Sequence, residues 1–334
     1  MATLSNPKPY GFIRRMDPTR DLNAVATLME EAFELKRDPE NHTLIENMRR
    51  HARMLACDEG NLLDRMTIRA SWSDGLVWED QGQVVGNISL IPHLDGFKRV
   101  TMIANVSVDE AYRRKGIARE LTLQGLRRCQ LNGVRDIYLQ VRHDNQAAID
   151  LYRDLGFNTL HSISQWRLRQ RPSAFSESDL AKSASEANFV IGKRKWGDWK
   201  TQKAWLAQAY PKRTRWYANI SFAALSPFSW LVPSYWSQMM QAEHFALRKN
   251  GQLLGMLSWQ RQLTQCDILL LALPEGLDEG EENLRAFALL NHFVNSFWDY
   301  KKVNLEFPIS RATKGIQEAG FKLVHDLDWM ALRV

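Results

Sequence analysis

Two stretches of the chain place apolar residues on both sides of a short polar turn. In residues 77–90 the turn is Gln81-Gly82, and in residues 245–258 it is Asn250-Gly251. Apolar flanks around a two-residue turn that contains glycine predict a β-hairpin. The sequence therefore predicts two hairpins of the same layout, one in each half of the chain.

A strand, a loop and a helix are predicted after the first hairpin. Residues 100–108 are rich in β-branched side chains, which favours a strand. In residues 118–131 leucines recur at a spacing that places them toward a core, which predicts a helix. Residues 136–141 again have strand character. A strand before the two helices of residues 10–64 and a hairpin after them indicate an α+β fold.

The second half of the chain repeats this order. Gly255 lies 169 positions after Gly86, and residues 303–307 match residues 137–141 at an offset of 166. Offsets that stay nearly constant indicate a repeated domain with small deletions. A chain of 334 residues is also long enough for two such domains.

A polar segment with proline and serine, residues 169–178, separates the two copies. We therefore place the boundary near residue 172, with one domain in residues 1–171 and the other in residues 172–334. Each domain is expected to be a mixed, mostly antiparallel sheet flanked by helices.

The loop between the predicted strand and helix of the first copy has the chemistry of an anion site. It places Gly116 and Ala118 at the start of the helix, where unpaired backbone N–H groups and the helix dipole favour a bound anion. Small residues let an anion approach the main chain. Positive charge surrounds them, on Arg113, Arg114, Lys115 and Arg119.

A second motif follows about thirty residues later and completes a family resemblance. It runs from Asn145 through Tyr152 to Gly156-Phe157. Together with Arg113-x-x-Gly116-x-Ala118 it resembles the acetyl-coenzyme A loop and the following motif of the GCN5-related N-acetyltransferase (GNAT) family. The resemblance covers residues 10–170 and implies two domains of the acyl-CoA N-acyltransferase fold, with the fourth and fifth strands splayed apart.

The resemblance implies direct transfer of an acetyl group from acetyl-CoA to an amine, with no metal. The asparagine that corresponds to Asn145 contacts pantetheine, and the tyrosine that corresponds to Tyr152 protonates the departing thiolate. A strand N–H near Val108 is expected to stabilise the oxyanion. The other residues expected to bind the coenzyme are Val106, Ser107, Val108, Arg113, Arg114, Lys115, Gly116, Ile117, Ala118 and Arg119.

The second copy lacks these features. After its strand at residues 268–273 the chain continues with five carboxylates in residues 274–282. Like charges repel a pyrophosphate by on the order of 1 kcal/mol each in water-like surroundings. Tyr152 corresponds to Ile316 and Asn145 to Ile309. The second copy is therefore predicted not to bind the coenzyme. Its alternative roles are to wall the acceptor cleft, to complete a homodimer surface or to bury the exposed face of the first domain.

The general base stays open, because residues 101–108 contain no carboxylate. A water held by Asn105 or Ser107 is one alternative. Side chains of neighbouring segments are others: His93, Asp95, Glu79, Asp109 and Glu110.

The acceptor stays open as well. The family binds it with its first two helices, here residues 17–64, which carry charges of both signs. A small metabolite, an antibiotic or a protein amine all fit this pattern.

Two further functions are alternatives to an active enzyme. One is a regulatory module that binds acetyl-CoA without turnover. The other is a nucleic-acid-binding or scaffold protein, because residues 193–217 interleave cations with aromatic side chains. We expect those aromatic residues to form the inner face of a helix instead, so nucleic acid is not an expected partner; the net charge of +6 is modest.

Composition adds few constraints. No run approaches the ~18 apolar residues of a membrane span, and the polar start lacks the apolar centre of a secretory signal, so a cytoplasmic location without membrane attachment is expected. The three cysteines, Cys57, Cys129 and Cys266, are too widely spaced to suggest a metal knuckle.

Overall fold

The computed structural model describes residues 11–33, 39–57, 63, 66–67, 74–168, 179–218, 220–229, 242–261, 266–297 and 302–334. Contacts group the chain into two compact units. The first comprises Met1–Gln140, Ala147–Asn158 and Met330–Val334, and the second comprises Val141–Gln146 and Thr159–Trp329. Among the described residues, no helix combines the length and hydropathy that a membrane crossing needs.

The first unit is a five-stranded sheet in the order β1-β2-β3-β4-β5 with helices against it. Neighbouring strands are antiparallel except β4 and β5, which are parallel. The elements, some of whose end residues group with the second unit, are β1 (Phe12–Arg15), α1 (Pro18–Ala32), α2 (Pro39–Ala56), β2 (Gly75–Asp80), β3 (Gln83–Asp95), β4 (Lys98–Val108), α3 (Ile117–Leu131), β5 (Asp136–Arg142) and α4 (Gln146–Asp154).

The second unit is a seven-stranded sheet in the order β12-β6-β11-β10-β9-β8-β7. Strands β10 and β11 are parallel, and β6 is antiparallel to β11. The elements are β6 (Asn158–Leu168), α5 (Asp179–Glu186), β7 (Val190–Lys193), α6 (Asp198–Ala209), α7 (Phe222–Leu225), β8 (Ala242–Lys249), β9 (Gln252–Gln260), β10 (Cys266–Ala272), α8 (Glu279–Ser296), β11 (Lys302–Pro308), α9 (Thr313–Glu318) and β12 (Lys322–Arg333).

The chain passes between the units more than once. Strand β6 follows α4 in sequence, yet its residues from Thr159 onward group with the second unit. The last residues of β12 group with the first unit, where the backbone N–H of Val334 donates to the carbonyl of Arg135 at 2.9 Å. Residues 169–178, which contain the predicted boundary, lie outside the described residues, so a division at residue 172 stays a prediction.

The predicted repeat is present in the element order. Strands β2 to β6 with α3 and α4 recur as β8 to β12 with α8 and α9. Both hairpins turn through two residues with positive φ: 49° and 80° at Gln81-Gly82, and 50° and 80° at Asn250-Gly251. Such φ pairs give the turn that matches the twist of the flanking strands. The two predicted hairpins are thereby confirmed.

Both copies also pack their long helix on the sheet over a glycine. A Cβ added to Gly86 would lie 2.9 Å from Ile117 Cγ2 of α3. A Cβ added to Gly255 would lie 2.7 Å from Leu273 Cδ2 and 3.2 Å from Leu289 Cδ1 of α8. Real side chains do not approach this closely, so each glycine lets a helix sit close to the sheet. The glycines that revealed the repeat in the sequence thus have a shared packing role.

Candidate functional site

Strands β4 and β5 separate part-way along their length. Their parallel pairing runs from Val100 opposite Asp136 to Ile103 opposite Leu139, and the register ends there. Strand β4 continues to Val108 while it remains paired with β3 on its other edge. The last residues of β4 therefore have backbone groups on one edge that no β5 partner in this register uses. This is the splay that the family resemblance implied.

A β-bulge lies in β4 just beyond the point of separation. The pairing with β3 goes from Asn87 opposite Ser107 to Ser89 opposite Ala104, so β4 has one residue more than β3 over this interval. Asn105 carries the extra length with a φ of 54°. The Asn87 Nδ2 donates to the Asn105 carbonyl at 2.9 Å, and the Asn105 Nδ2 donates to Ser89 Oγ at 3.2 Å. Bulges re-aim backbone groups next to active sites, and these two amides hold this one.

The loop after β4 leads into a helix start that no side chain caps. A short 3-10 turn, Glu110–Tyr112, is followed by Arg113, whose Nε donates back to the Val108 carbonyl at 3.2 Å. Gly116 is the N-cap of α3 with a φ of 82° and no side-chain hydrogen bond to the helix. A Cβ at this glycine would meet no atom within 4 Å. The space beside Gly116 is therefore open, and the first N–H groups of α3 have no side-chain cap at the positive end of the helix dipole.

The cations around this helix start are exposed. Arg113, Arg114, Lys115 and Arg119 all lie at the surface, and no ion pair among the described residues includes any of them. The Lys115 Nζ lies 4.7 Å from the centre of the Tyr112 ring. Tyr112 itself donates from its hydroxyl to Asp80 at 2.8 Å, which raises the pKa of the phenol. The four cations therefore remain available to an anion.

Tyr152 lies on α4 inside the first unit. Its side chain is 7% exposed and its ring packs edge-on against Phe157 with centroids 5.8 Å apart. Burial raises the pKa of Tyr152 to about 12. Just after the helix, Gly156 has a φ of 92°, the left-handed conformation that commonly follows a helix end. Tyr152 therefore belongs to the core and also carries a hydroxyl that stays protonated.

Asn145 stands in the turn before α4. Its N–H donates to the Arg142 carbonyl at 2.9 Å, and the residue is exposed. It belongs to the short segment Val141–Gln146 that groups with the second unit. The first unit thus contains the end of β4, the loop and Tyr152. Asn145 stands seven residues before that tyrosine in the sequence.

Comparison with known proteins agrees with this arrangement. Residues 28–157 match the acetyltransferase (GNAT) family. The likeness to the GNAT family extends over these residues, which are less than half of the chain. The match ends at Phe157, so it contains every residue singled out above from β4 to α4.

Two relatives are similar over part of the chain. Mycothiol acetyltransferase from Amycolatopsis mediterranei (strain U-32) is 32% identical over 151 residues, which are 43% of this chain and 45% of that protein. Ribosomal protein bS18-alanine N-acetyltransferase from Escherichia coli (strain K12) is 43% identical over 54 residues, 16% of this chain and 36% of that protein. The matched parts thus span less than half of either relative.

A solved structure supports the fold over the whole length. The GCN5-related N-acetyltransferase from Sphaerobacter thermophilus superposes with a TM-score of 0.52 at 13% identity, and the match covers 97% of this chain and 95% of that one. At this identity the likeness shows the fold alone. It confirms the predicted α+β fold of the GNAT class.

Several carboxylates that the sequence offered as bases for GNAT chemistry have other partners. Glu79 accepts from Arg14 at 2.6 Å and from Arg20 at 2.9 Å, and the bond from Arg14 is the main cause that lowers the pKa of this carboxyl. Asp109 caps the short turn by accepting from the N–H of Ala111 at 2.9 Å. Both are committed to holding the fold of the first unit.

His93 and Asp95 lie at the far end of the β3–β4 hairpin. His93 pairs with Val100 and Asp95 with Lys98, whereas the separated end of β4 is at Val108. Strands rise about 3.3 Å per residue, so Val100 and Val108 are on the order of 25 Å apart. The hairpin geometry therefore does not bring these two side chains to the bulge.

A His-Asp-Ser cluster in the second unit was not predicted. His143 Nδ1 lies 2.9 Å from Asp328 Oδ1, and the Ser162 hydroxyl donates to the same oxygen at 2.5 Å. The hydrogen bond to Asp328 raises the pKa of His143. His143 and Asp328 are 185 residues apart in sequence, so no local motif signals the pair.

The basic and aromatic segment of residues 193–217 packs inward in large part. On α6, Leu206 and Ala209 are buried and Trp199 and Trp205 pack against the same core. Arg194 is half-buried; it donates to Gln202 and to the Leu225 carbonyl, and burial lowers its pKa to about 10. The expected inner face of this helix is confirmed. Because Trp199 and Trp205 pack against the core, much of the aromatic surface that base stacking requires is not available.

Proposed function

We propose that this protein is an N-acetyltransferase that moves the acetyl group of acetyl-CoA directly to an amine. One observation carries the proposal: the bulged, separated end of β4 leads through an exposed cationic loop into an uncapped helix start. An unused strand edge suits the extended arm of the coenzyme, and exposed N–H groups with cations suit its pyrophosphate. The match of residues 28–157 to the GNAT family supports the same proposal.

Each part of this region then has a role toward the donor. The backbone of Val106, Ser107 and Val108 would pair with pantetheine, and Asn145 would hydrogen-bond to it. The pyrophosphate would be held by Arg113, Arg114, Lys115, Gly116, Ile117, Ala118 and Arg119. The open space at Gly116 supports this fit, because a Cβ there would meet nothing within 4 Å. No metal is part of this proposal.

The bound coenzyme supplies an activated thioester. A backbone N–H near Val108 would stabilise the negative charge that forms on the carbonyl oxygen as a neutral amine attacks, because it is fixed in place before the reaction. Tyr152 would then give its proton to the departing sulfur. With a pKa of about 12, the hydroxyl carries that proton at any physiological pH.

We further propose that the second domain does not bind the coenzyme. The helix start of α8 is capped: Asp278 accepts from the N–H of Glu281 at 2.9 Å. Glu282 is held by Arg311 and by the N–H of Ala312 at 3.2 Å. Ile316 occupies the position of Tyr152 and is fully buried. A carboxylate fills the place that an anion would need.

The acceptor is proposed to be the amine of a small molecule or of a peptide. The names of the two relatives point to acceptors of both kinds. Helices α1 and α2 are joined by an ion pair between Glu30 and Arg49 at 2.7 Å, which uses two of the charges that the sequence placed in the acceptor region. Residues 34–38 between them lie outside the described residues.

A panel of acceptors tests the proposal. The protein is incubated with acetyl-CoA and with unacetylated mycothiol, an alanine-terminated peptide, free amino acids, polyamines or aminoglycosides, and free thiol release is measured. We expect release above hydrolysis with at least one amine, with the acetylated product confirmed by mass. Tight coenzyme binding without release for any acceptor would instead favour a regulatory module.

A further inference from the structure

We propose that Asn87 and Ser107 form the contact that receives the acceptor amine. The proposal rests on the acetyltransferase function proposed above and names a subsite of it. Asn87 and Ser107 lie directly opposite each other on β3 and β4, beside the bulge at Asn105. Opposed residues of an antiparallel pair have Cβ atoms about 5 Å apart on one face of the sheet.

Two polar atoms of this pair are buried without a partner. Asn87 is 0% exposed and Ser107 is 3% exposed. Neither Asn87 Oδ1 nor Ser107 Oγ has a hydrogen bond to any described residue. Buried polar groups are nearly always paired, and an unpaired one lowers stability. Two such atoms side by side leave hydrogen-bonding capacity that a polar ligand can complete.

The face on which they lie is the one toward the first two helices. Gly86 and Ile88 of β3 face α3, because a Cβ at Gly86 would meet Ile117 and a Cβ at Gly125 of α3 would meet Ile88. Residues alternate between faces along a strand, so Asn87 points to the other side. Helix α1 contacts β3 and β4. The pair therefore lies on the α1 side of the strand whose end would hold the thioester.

The chemistry of the pair selects its ligand. Asn87 Nδ2 is used in holding the bulge, which leaves Oδ1 as an acceptor, and the Ser107 hydroxyl can accept or donate. Neither group is charged. The pair thus suits a neutral N–H donor, which is the form in which an amine must attack, and hydrogen bonds to it would aim its lone pair toward the acyl carbon.

The second copy lacks this pair. In β9 and β10 the residues at the matching register positions are Met256 opposite Ala272, both fully buried. The polar pair is therefore found in the copy that has the open loop and is replaced by apolar packing in the other. A purely structural role for an unpaired amide oxygen and hydroxyl would not follow that division.

Ser107→Ala tests the proposal, with Thr122→Val as the matched control. Thr122 is a buried hydroxyl of α3 that donates to the Ala118 carbonyl at 2.7 Å, so its loss removes a satisfied hydrogen bond. We expect Ser107→Ala to raise the KM of the best acceptor of the panel by about tenfold, the worth of one hydrogen bond. Its Kd for acetyl-CoA should stay within twofold, and its Tm should stay equal or rise.

The control should behave in the opposite way: a lower Tm and an acceptor KM within twofold of the wild type. An unchanged acceptor KM in Ser107→Ala overturns the proposal, and so does a fall in Tm like that of Thr122→Val. Weakened acetyl-CoA binding with an unchanged acceptor KM would assign the pair to the donor instead. Absence of turnover by the wild-type protein with every acceptor is a different result, since it overturns the proposed function itself.

Discussion

The two copies of the repeat share their packing and differ at the end of one strand. In both, a hairpin with the same turn packs against a long helix over a glycine. In the first copy β4 bulges at Asn105 and leads to an uncapped helix start; in the second, β9 and β10 pair without a shift and Asp278 caps the helix. This fold therefore does not require the bulge or the open helix start, and these features are specific to the first copy.

The largest effect on activity is expected from loss of the Tyr152 hydroxyl. The second copy has Ile316 at the corresponding position. Tyr152→Phe should lower kcat by about 100-fold or more, because the departing thiolate loses its proton donor. The Kd for acetyl-CoA, measured by calorimetry, should change less than twofold. Tyr210→Phe is the matched control: its hydroxyl is buried in the second unit and accepts from the N–H of Leu271. Unchanged kcat in Tyr152→Phe would remove this residue from the mechanism.

Charge reversal in the loop should come next in size. Arg113→Glu places a carboxylate beside the uncapped start of α3, as the second copy does naturally, and should weaken acetyl-CoA binding by about 100-fold. Lys200→Glu makes the same change at an exposed position of α6 and should leave the affinity unaltered. Calorimetry also counts the sites: we expect one coenzyme per chain, and two would contradict the inert second copy.

The shared packing predicts matched losses of stability. Gly86→Ala and Gly255→Ala each force a Cβ into a helix contact and should lower the free energy of unfolding by about 1 to 3 kcal/mol. Gly192→Ala, where a Cβ would meet nothing within 4 Å, is the control. Denaturant unfolding measures all three. A loss of stability in only one of the two variants Gly86→Ala and Gly255→Ala would show that the two copies do not share this packing.

The smallest effect concerns pH. Asp328 raises the pKa of His143, so the pair stabilises the fold below the ordinary histidine pKa of about 6.5, and this stabilisation is lost as the pH rises through the raised value. Asp326 and Asp144 also face this ring and act in the same direction. Asp328→Asn should flatten the dependence of Tm on pH in that window. The change should be small, because the His143 side chain is 53% exposed.

Local pattern was enough for much of the fold. The strand predicted at residues 100–108 is observed as Lys98–Val108, and the helix predicted from Ala118 begins at Ile117. Such elements are set by periodicity and turn residues within short windows. The motifs that carry the loop and Tyr152 also lie within short windows of sequence, and the roles of these residues stay predictions.

What the sequence did not predict depends on pairing between distant strands. The bulge arises only when β3 and β4 are aligned, and the amide of Asn87 reaches Asn105 across 18 residues. The pair of His143 and Asp328 joins residues 185 positions apart. Asparagine and aspartate are common in loops and strands alike, so nothing in their local sequence marks them as partners.

The grouping of Met330–Val334 with the first unit has a consequence for synthesis. These residues follow the entire second unit in chain order, and the N–H of Val334 bonds to Arg135 beside the start of β5. A ribosome must therefore translate the second unit before the first can gain its last strand residues. Nascent chains released earlier would lack Met330–Val334 and the hydrogen bond from Val334 to Arg135.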